Sequence, residues 1–393
     1  MLFKRVSLQC EKSKYLNFFR AGNAETMRNE IKKNRLILKK LLPVSTISLF
    51  VLLSLSCFSN QTTDPNRLVK GTPVTRNIVN DEIHSYTVAL EKDQYLELAV
   101  EQHDVDVITR VFAPDRKLIG EFDTPTSGRG TEKIRFGTEI SGEYRVEIYT
   151  LSARAEPGEY KLEFAEFRPI TTRDRQTLAA VKLHQQADIL RSKPETMRES
   201  LPVYEQALAI WRELGEKADE GNTLRAMGFA FQRLGELEKA KEYFGKALVI
   251  WEQIGDVRSA AFTHIIFGLI AKKQNDLETG LKEDLIAQRL WEQASDQPEA
   301  AQNLVRIGND YTKLGNKTEA LDYFEKALEA SNRVEKKSVK AYALSSYGDA
   351  QAEFGNKSEA LNFYKESLDI WKSLEQEKVV TNLQEKIDKL NVN

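Results

Sequence analysis

Along residues 66–168 of this 393-residue chain, apolar and polar positions alternate one for one. The runs "HSYTVAL", "QYLELAV", "DVITRVF", "KLIGEF", "EKIRF", "YRVEIYT" and "YKLEFAEF" are short and rich in β-branched and aromatic residues. A period of two sets one face of an extended strand against a core and the other in water. Turn-forming stretches such as "APDR", "TPTSGRGT" and "AEPGE" separate the runs. Seven or eight such strands predict an antiparallel β-sandwich, jelly-roll-like, over 68–168. From residue 174 the apolar period becomes helical, and the sequence repeats every forty residues up to 376. Residues 377–393 read as a closing amphipathic helix and tail. The expected architecture is a sandwich followed by an all-α solenoid of about five helix pairs and a capping helix.

The forty-residue beat is carried by columns of residue type. Trp211, Trp251, Trp291 and Trp371 share one position, and Ser331 stands where a fifth tryptophan is due. Gly228, Gly268, Gly308 and Gly348 form a second column, and Ala207, Ala247, Ala287, Ala327 and Ser367 a third. A fourth runs Tyr204, Phe244, Asp284, Phe324, Tyr364. Gly235, Gly315 and Gly355, with Asn275 once in their place, mark the turn inside each helix pair. A glycine in a helix interior costs about 1 kcal/mol relative to alanine. Its return four times implies close approach of two helix backbones, with the alanines facing it. The tryptophans fall near the ends of the second helices, so they read as packing that sets the length of the unit. The stack is expected to be loosest at Ser331.

Residues 41–58, "LLPVSTISLFVLLSLSCF", carry no charge, follow the basic segment "RNEIKKNRLILKK" and precede the polar "SNQTTDPN". This is the pattern of a secretory leader over 1–58, with the signal or anchor at 41–58 and a flexible tether at 59–67. Everything beyond is expected to be exported. Twenty-six residues before Met27 make a long leader, so Met27 is a second candidate start.

Lys+Arg 57 against Asp+Glu 59 gives a net charge of -2, which does not point to nucleic acid. The two cysteines, Cys10 and Cys57, both precede the folded part, so neither a disulfide framework nor a Cys–His dyad is expected there. Asp104 and Asp106 supply too few oxygens for calcium and read as a solvated strand end. His84 and His103 lack a third ligand at metal spacing and read as surface residues. His264 falls in a column of leucines, which suggests a partly buried ring with a local hydrogen bond. "FGNKSEA" and "LGNKTEA" lack the strand and first glycine of a phosphate loop, and no nucleophile elbow or zinc-protease motif occurs. No catalytic residue, metal or cofactor is expected, and the chain reads as a non-enzyme.

Three resemblances follow from these residues. "SLFVLLSLSC" resembles a bacterial lipoprotein signal, which implies acylation of Cys57 and a membrane anchor. Ser54 departs from the aliphatic residue usual there, so simple cleavage of the leader stays open. "HSYTVALEKDQYLELAV" with "SGEYRVEIY" resembles the bacterial pre-peptidase C-terminal-like domains, which implies an accessory binding or stabilising module. "LVRIGNDYTKLGNKTEALDYFEKALEA" and "LSSYGDAQAEFGNKSEALNFYKESLDI" resemble tetratricopeptide repeats, at the longer spacing of kinesin light chains. That resemblance implies a concave groove, made by the first helix of each pair, that holds a peptide or helix of another protein.

By register the groove should present Asn222, Arg225, Phe229 and Arg233, then Phe262, Ile265, Leu269, Lys272 and Lys273. Gln302, Asn309 and Lys313 follow, then Tyr342, Ser345 and Asp349. This set is apolar in the middle and basic toward one side, which suits a partner with hydrophobic anchors and acidic flanks. The clamp for a C-terminal carboxylate is absent. The expected function is a non-catalytic interaction scaffold of the bacterial cell envelope. A recognition subunit or truncated relative of a caspase-like peptidase system is one alternative. A structural spacer whose sandwich binds an envelope polymer is another.

Overall fold

The computed structural model describes residues 66–79, 81–123, 129–150 and 156–392. The leader 1–58 with its run 41–58, Met27, Cys57 and residues 59–65 lie outside the described residues. Eight strands come first: β1 Val74–Ile78, β2 Ile83–Leu90, β3 Gln94–His103, β4 Val107–Phe112, β5 Leu118–Phe122, β6 Arg129–Gly137, β7 Gly142–Thr150 and β8 Gly158–Pro169. They form two four-stranded sheets in the orders β1-β8-β3-β6 and β2-β7-β4-β5, every pairing antiparallel. The alternation is the cause: Leu96, Leu98 and Val100 of β3 point into the same core as Tyr144, Val146 and Ile148 of β7.

Two sequence expectations change here. β1, "VTRNI", is an edge strand in which Ile78 is the one buried residue, so it carries little alternation to read. Asn66 and Arg67, assigned to the tether, are held by the sandwich: the Thr87 amide donates to Asn66 O at 2.9 Å, and Arg67 bridges to Thr87. Two residues of the stretch expected to be a tether thus belong with the sandwich.

Eleven helices follow: α1 Thr172–Ser192, α2 Met197–Leu214, α3 Lys217–Arg233, α4 Leu237–Ile254, α5 Val257–Lys273 and α6 Leu277–Gln293, then α7 Gln297–Lys313, α8 Lys317–Ser331, α9 Lys337–Glu353, α10 Lys357–Ser373 and α11 Glu377–Val392. They stack as five antiparallel pairs, and α11 caps the end by burying Leu383 and Ile387 against Tyr364 and Leu368 of α10. The turn inside each of the second to fifth pairs has one left-handed residue, supplied by Gly235 (φ 80°), Gly315 (75°) and Gly355 (80°) in three of them. Asn275 takes the same conformation at 63°, as the side chain best able to stand in for glycine.

The glycine column marks the close helix approach its spacing suggested, with Gly280 O and Ala360 O near Gly268 and Gly348, but the nearest atoms belong to the aromatic column. A Cβ on Gly228 would lie 2.7 Å from the Phe244 ring, one on Gly308 3.0 Å from Phe324, and one on Gly348 2.7 Å from Tyr364. Each glycine seats the aromatic residue of its paired helix, and the alanine column is not its partner. The alanines Ala207, Ala247, Ala287 and Ala327 are fully buried in their own right. Trp211, Trp251 and Trp291 are buried near the ends of α2, α4 and α6, and Trp371 is partly buried on α10. Trp251 lies in a notch made by Gly221 of α3, where a Cβ would come within 2.5 Å of the indole.

The sandwich and the solenoid are interlocked. Only two residues separate β8 from α1, and a Thr171–Asp174 capping box starts the helix while Arg168 of β8 pairs with Asp174. Arg135 of β6, itself buried, donates to Glu97 of β3 at 2.9 Å and to Asp219 of α3 at 2.8 Å. At the far end of the stack, α9 has no side-chain cap of its own. The Glu156 carboxylate, just before β8, accepts the backbone N–H of Lys337 at 2.9 Å and of Ser338 at 3.0 Å.

Candidate partner-binding groove

The first helices α3, α5, α7 and α9 place equivalent residues in line at forty-residue intervals, so their outer positions form parallel rows. One row is Asn222, Phe262, Gln302, Tyr342; the next is Phe229, Leu269, Asn309, Asp349. Leu269 is 46% and Tyr342 38% exposed, high values for large apolar side chains. Phe229 is half-buried, edge-on to Phe244 with ring centres 5.1 Å apart and 6.5 Å from Phe262, so the aromatic floor is continuous from α3 to α5. A third row, Arg233, Lys273 and Lys313, is exposed in the last turns of α3, α5 and α7. Cations there face the negative ends of the helix dipoles. Arg233 also donates to the Arg191 carbonyl at 3.1 Å.

Several of the expected groove residues are engaged within the molecule. Arg225 is only 6% exposed. Its guanidinium donates to Asn222 Oδ1 at 2.9 Å and sits 5.9 Å from the Trp251 ring centre, so Asn222 is engaged as well. Burial lowers the Arg225 pKa to about 10, with Asp256 opposing. Lys272 lies between Asp284 of α6 and Asp310 of α7, 2.6 Å from each. Asp349 is exposed but bound, accepting from Lys386 of α11 at 2.6 Å and from the Tyr364 hydroxyl at 2.6 Å. Ile265, also assigned to the groove, is buried in the core with Ala261 and Trp291. Composition does not say how deep each row of a helix face lies.

The third unit shows how Lys272 was captured. Asp284 stands in the aromatic column and Gly280 where the other units have alanine. A Cβ on Gly280 would meet the Lys272 stem at 2.5 Å, and one on Gly268 would meet Asp284 Oδ1 at 3.0 Å. The aliphatic stem of Lys272 thus fills the space the ring leaves, and its ammonium is shared by two carboxylates. Burial, with Asp284 beside it, pushes the Asp310 pKa up to about 6 against the pull of Lys272. Asn303 extends the polar cluster, donating to Asp284 O at 2.8 Å and to Gln288 Oε1 at 3.1 Å.

Among the described residues, the other polar clusters are tied up in internal hydrogen bonds. Thr223 Oγ1, His184 Nδ1, His184 Nε2 and Asp188 line up at 2.9 Å and 3.4 Å, but Thr223 is fully buried and its hydroxyl donates to Asp219 O. His264 is half-buried and bonded to Glu283 at 2.6 Å, the local partner its column implied. His84 is not a free surface ring: its Nδ1 lies 2.7 Å from the Tyr160 hydroxyl, which in turn lies 2.5 Å from that of Tyr86. Asp104 is held by both nitrogens of Arg129 at 2.7 Å, and Asp106 is half-buried with its pKa raised by burial, so neither is a solvated strand end. Among the described residues, no group of three or more His, Cys, Asp or Glu side chains is placed to hold a metal ion. No helix among them is long and apolar enough to cross a membrane.

Residues 178–253 and 299–373 match the family model of the tetratricopeptide repeat. The stretch between the two matches contains the unit in which Asp284 and Gly280 break the columns. No curated protein matches the chain. Among solved structures, BtubC (BKLC) from P. vanneervenii is similar over 52% of this chain and 93% of its own, at 16% identity and a TM-score of 0.44. A putative kinesin light chain from Podosopora anserina, with nearly identical TPR-like repeats, is similar over 53% of this chain and 99% of its own, at 12% identity and a TM-score of 0.42. The STAND protein PH0952 from Pyrococcus horikoshii, which has a tetratricopeptide repeat sensor, covers 55% of this chain and 37% of its own, at 16% identity and a TM-score of 0.41.

Proposed function

We propose, from a helical part built of tetratricopeptide repeats, that the chain is a protein-interaction scaffold. Its groove binds an extended or helical segment of another protein. The observation that carries this reading is the Phe229–Phe262 floor with the exposed Leu269 and Tyr342 in the same two rows, and Arg233, Lys273 and Lys313 in a third. Apolar anchors bordered by a row of cations suit a segment with hydrophobic side chains and acidic flanks. The finer placement, in a bacterial envelope with Cys57 acylated as the anchor, is supported by the basic and apolar pattern of residues 28–58. On this reading a Cys57→Ser variant leaves the membrane fraction; retention there would rule the acyl anchor out.

The groove is tested with the full chain, since sandwich and solenoid share buried contacts. Lys273→Glu with Lys313→Glu alters exposed charges at two helix C-termini, so melting should fall by no more than a few degrees and the helix content should stay that of the parent. Binding to a partner recovered by affinity capture should weaken at least tenfold, and parental binding should fall steeply with salt. Unchanged affinity in the double variant would remove the groove from the interface.

A further inference from the structure

We propose that Lys272, Asp284 and Asp310 form a proton-operated joint between the third and fourth units. A proton shared by the two carboxylates keeps α6 against α7, and its loss loosens that contact. Four columns of the repeat change together here. Lys272 stands where other units have Gln232, Thr312 or Ala352, and Gly280 where they have Ala240, Ala320 or Ala360. Asp284 replaces the ring, and Asp310, across the joint, falls in the column of Ala230, Ile270 and Ala350. At the preceding joint Ile270 shares a buried cluster with Phe244, and at the following one Ala350 shares a cluster with Phe324. This joint puts three charges where its neighbours pack apolar side chains.

The geometry leaves the charges unbalanced. Each carboxylate has an oxygen 2.6 Å from the single ammonium, and both aspartates are buried. Two negative charges on one positive, out of water, make one carboxyl far easier to protonate than an isolated aspartate. Asp284 Oδ1 is buried with no donor among the described residues. A proton on Asp310, which lies within hydrogen-bonding reach of Asp284, supplies one. With that proton the cluster is neutral. Without it a net negative charge stays in a dry site, and parting α6 from α7 lets water reach it.

The charged groups that reach Asp310 are Lys272 from α5 and Asp284 from α6, while α8 and α9 meet α7 through Phe324 and Tyr347. On α7 itself Arg306 and Lys313 stand one turn to either side. The other titratable groups of these helices are placed differently. His264 is bonded to Glu283 two turns along α5 from Lys272, and Glu299 belongs to the first turn of α7. Leu269 and Lys273 on α5 and Lys313 on α7 flank the joint, so it sets the spacing of their rows whatever occupies them.

Hydrogen exchange of the full chain, read by mass spectrometry and corrected for intrinsic rates, tests the joint. Asp310 titrates at about 6 in the closed joint and at about 4 once opened to water. Protection of α6 and α7 should therefore fall about tenfold from pH 5 to pH 7.5, while α3 and α4 change little. Asp310→Asn should remove that fall. So should Lys272→Thr, Gly280→Ala, Asp284→Phe and Asp310→Ala combined, which copies the joint between the fourth and fifth units and tests the same point by apolar packing. No fall in the parent chain, or an equal fall in every unit, overturns the proposal. So does a fall that persists in either variant when folded, because the titrating group then lies elsewhere.

Discussion

Among single residues, the tryptophans separate volume from polarity. The indole N–H groups of Trp211, Trp251, Trp291 and Trp371 are buried without an acceptor among the described residues. A buried indole N–H usually finds one, so here the ring is retained for its size. Trp251→Phe should therefore cost only about 1–2 kcal/mol, whereas Trp251→Ala leaves a void against Gly221 and should cost about 3–5 kcal/mol by urea denaturation. Equal losses in the two variants would mean that the N–H contributes after all. The rhythm of these residues was legible because volume recurs in sequence. Arg225 and Lys272 were misplaced because a charge on a helix face says nothing of what covers that face. Asp284 was visible as a break in its column, but the lysine that answers it lies twelve residues away on another helix.

At the level of the helix pair, the third unit exchanges a ring for an ion cluster. Lys272, Asp284 and Asp310 place two carboxylates on one ammonium in a buried site. Asp310, at about 6 in the folded chain, titrates near the ordinary aspartate range when unfolded. Between about pH 4 and pH 6 the folded state therefore holds more protons than the unfolded one. This group's contribution is complete below about pH 4 and is lost as pH rises through 6. Asp310→Asn should remove that loss, making the variant more stable than the parent above pH 6 by an amount on the order of 1–3 kcal/mol. Melting curves at pH 4 and pH 7 check the sign; a parent that gains stability over this range through Asp310 would contradict it. Both periodicities predicted their elements well, because local burial repeats every two residues in a strand and on a fixed face in a helix. The edge strand β1 escaped because one buried isoleucine makes no pattern.

For the molecule as a whole, the two folds unfold together only while their contacts hold. Arg135 links β3, β6 and α3 from a buried position, and removing one partner of such a set strands the other charges. Arg135→Ala with Glu156→Ala should divide a single calorimetric transition into two, the sandwich separating from the solenoid. A single transition in the double variant would show that the β8–α1 junction alone couples them. None of this was visible beforehand, since each contact joins residues whose spacing carries no period: 84 positions for Arg135–Asp219 and 181 for Glu156–Lys337.

Glu156 has one more consequence. A stack of repeats in which each unit touches only its neighbours is elastic, and its pitch adjusts with small changes at each junction. This one is joined to the sandwich through α1 and α3 at one end and through α9 at the other, like a bow held by its string. A guest that fitted the resting curvature would meet a surface already held in place and would lose little freedom in binding. A guest that needs the coil opened must first draw Glu156 away from two backbone amides, so the sandwich sets the stiffness of the spring.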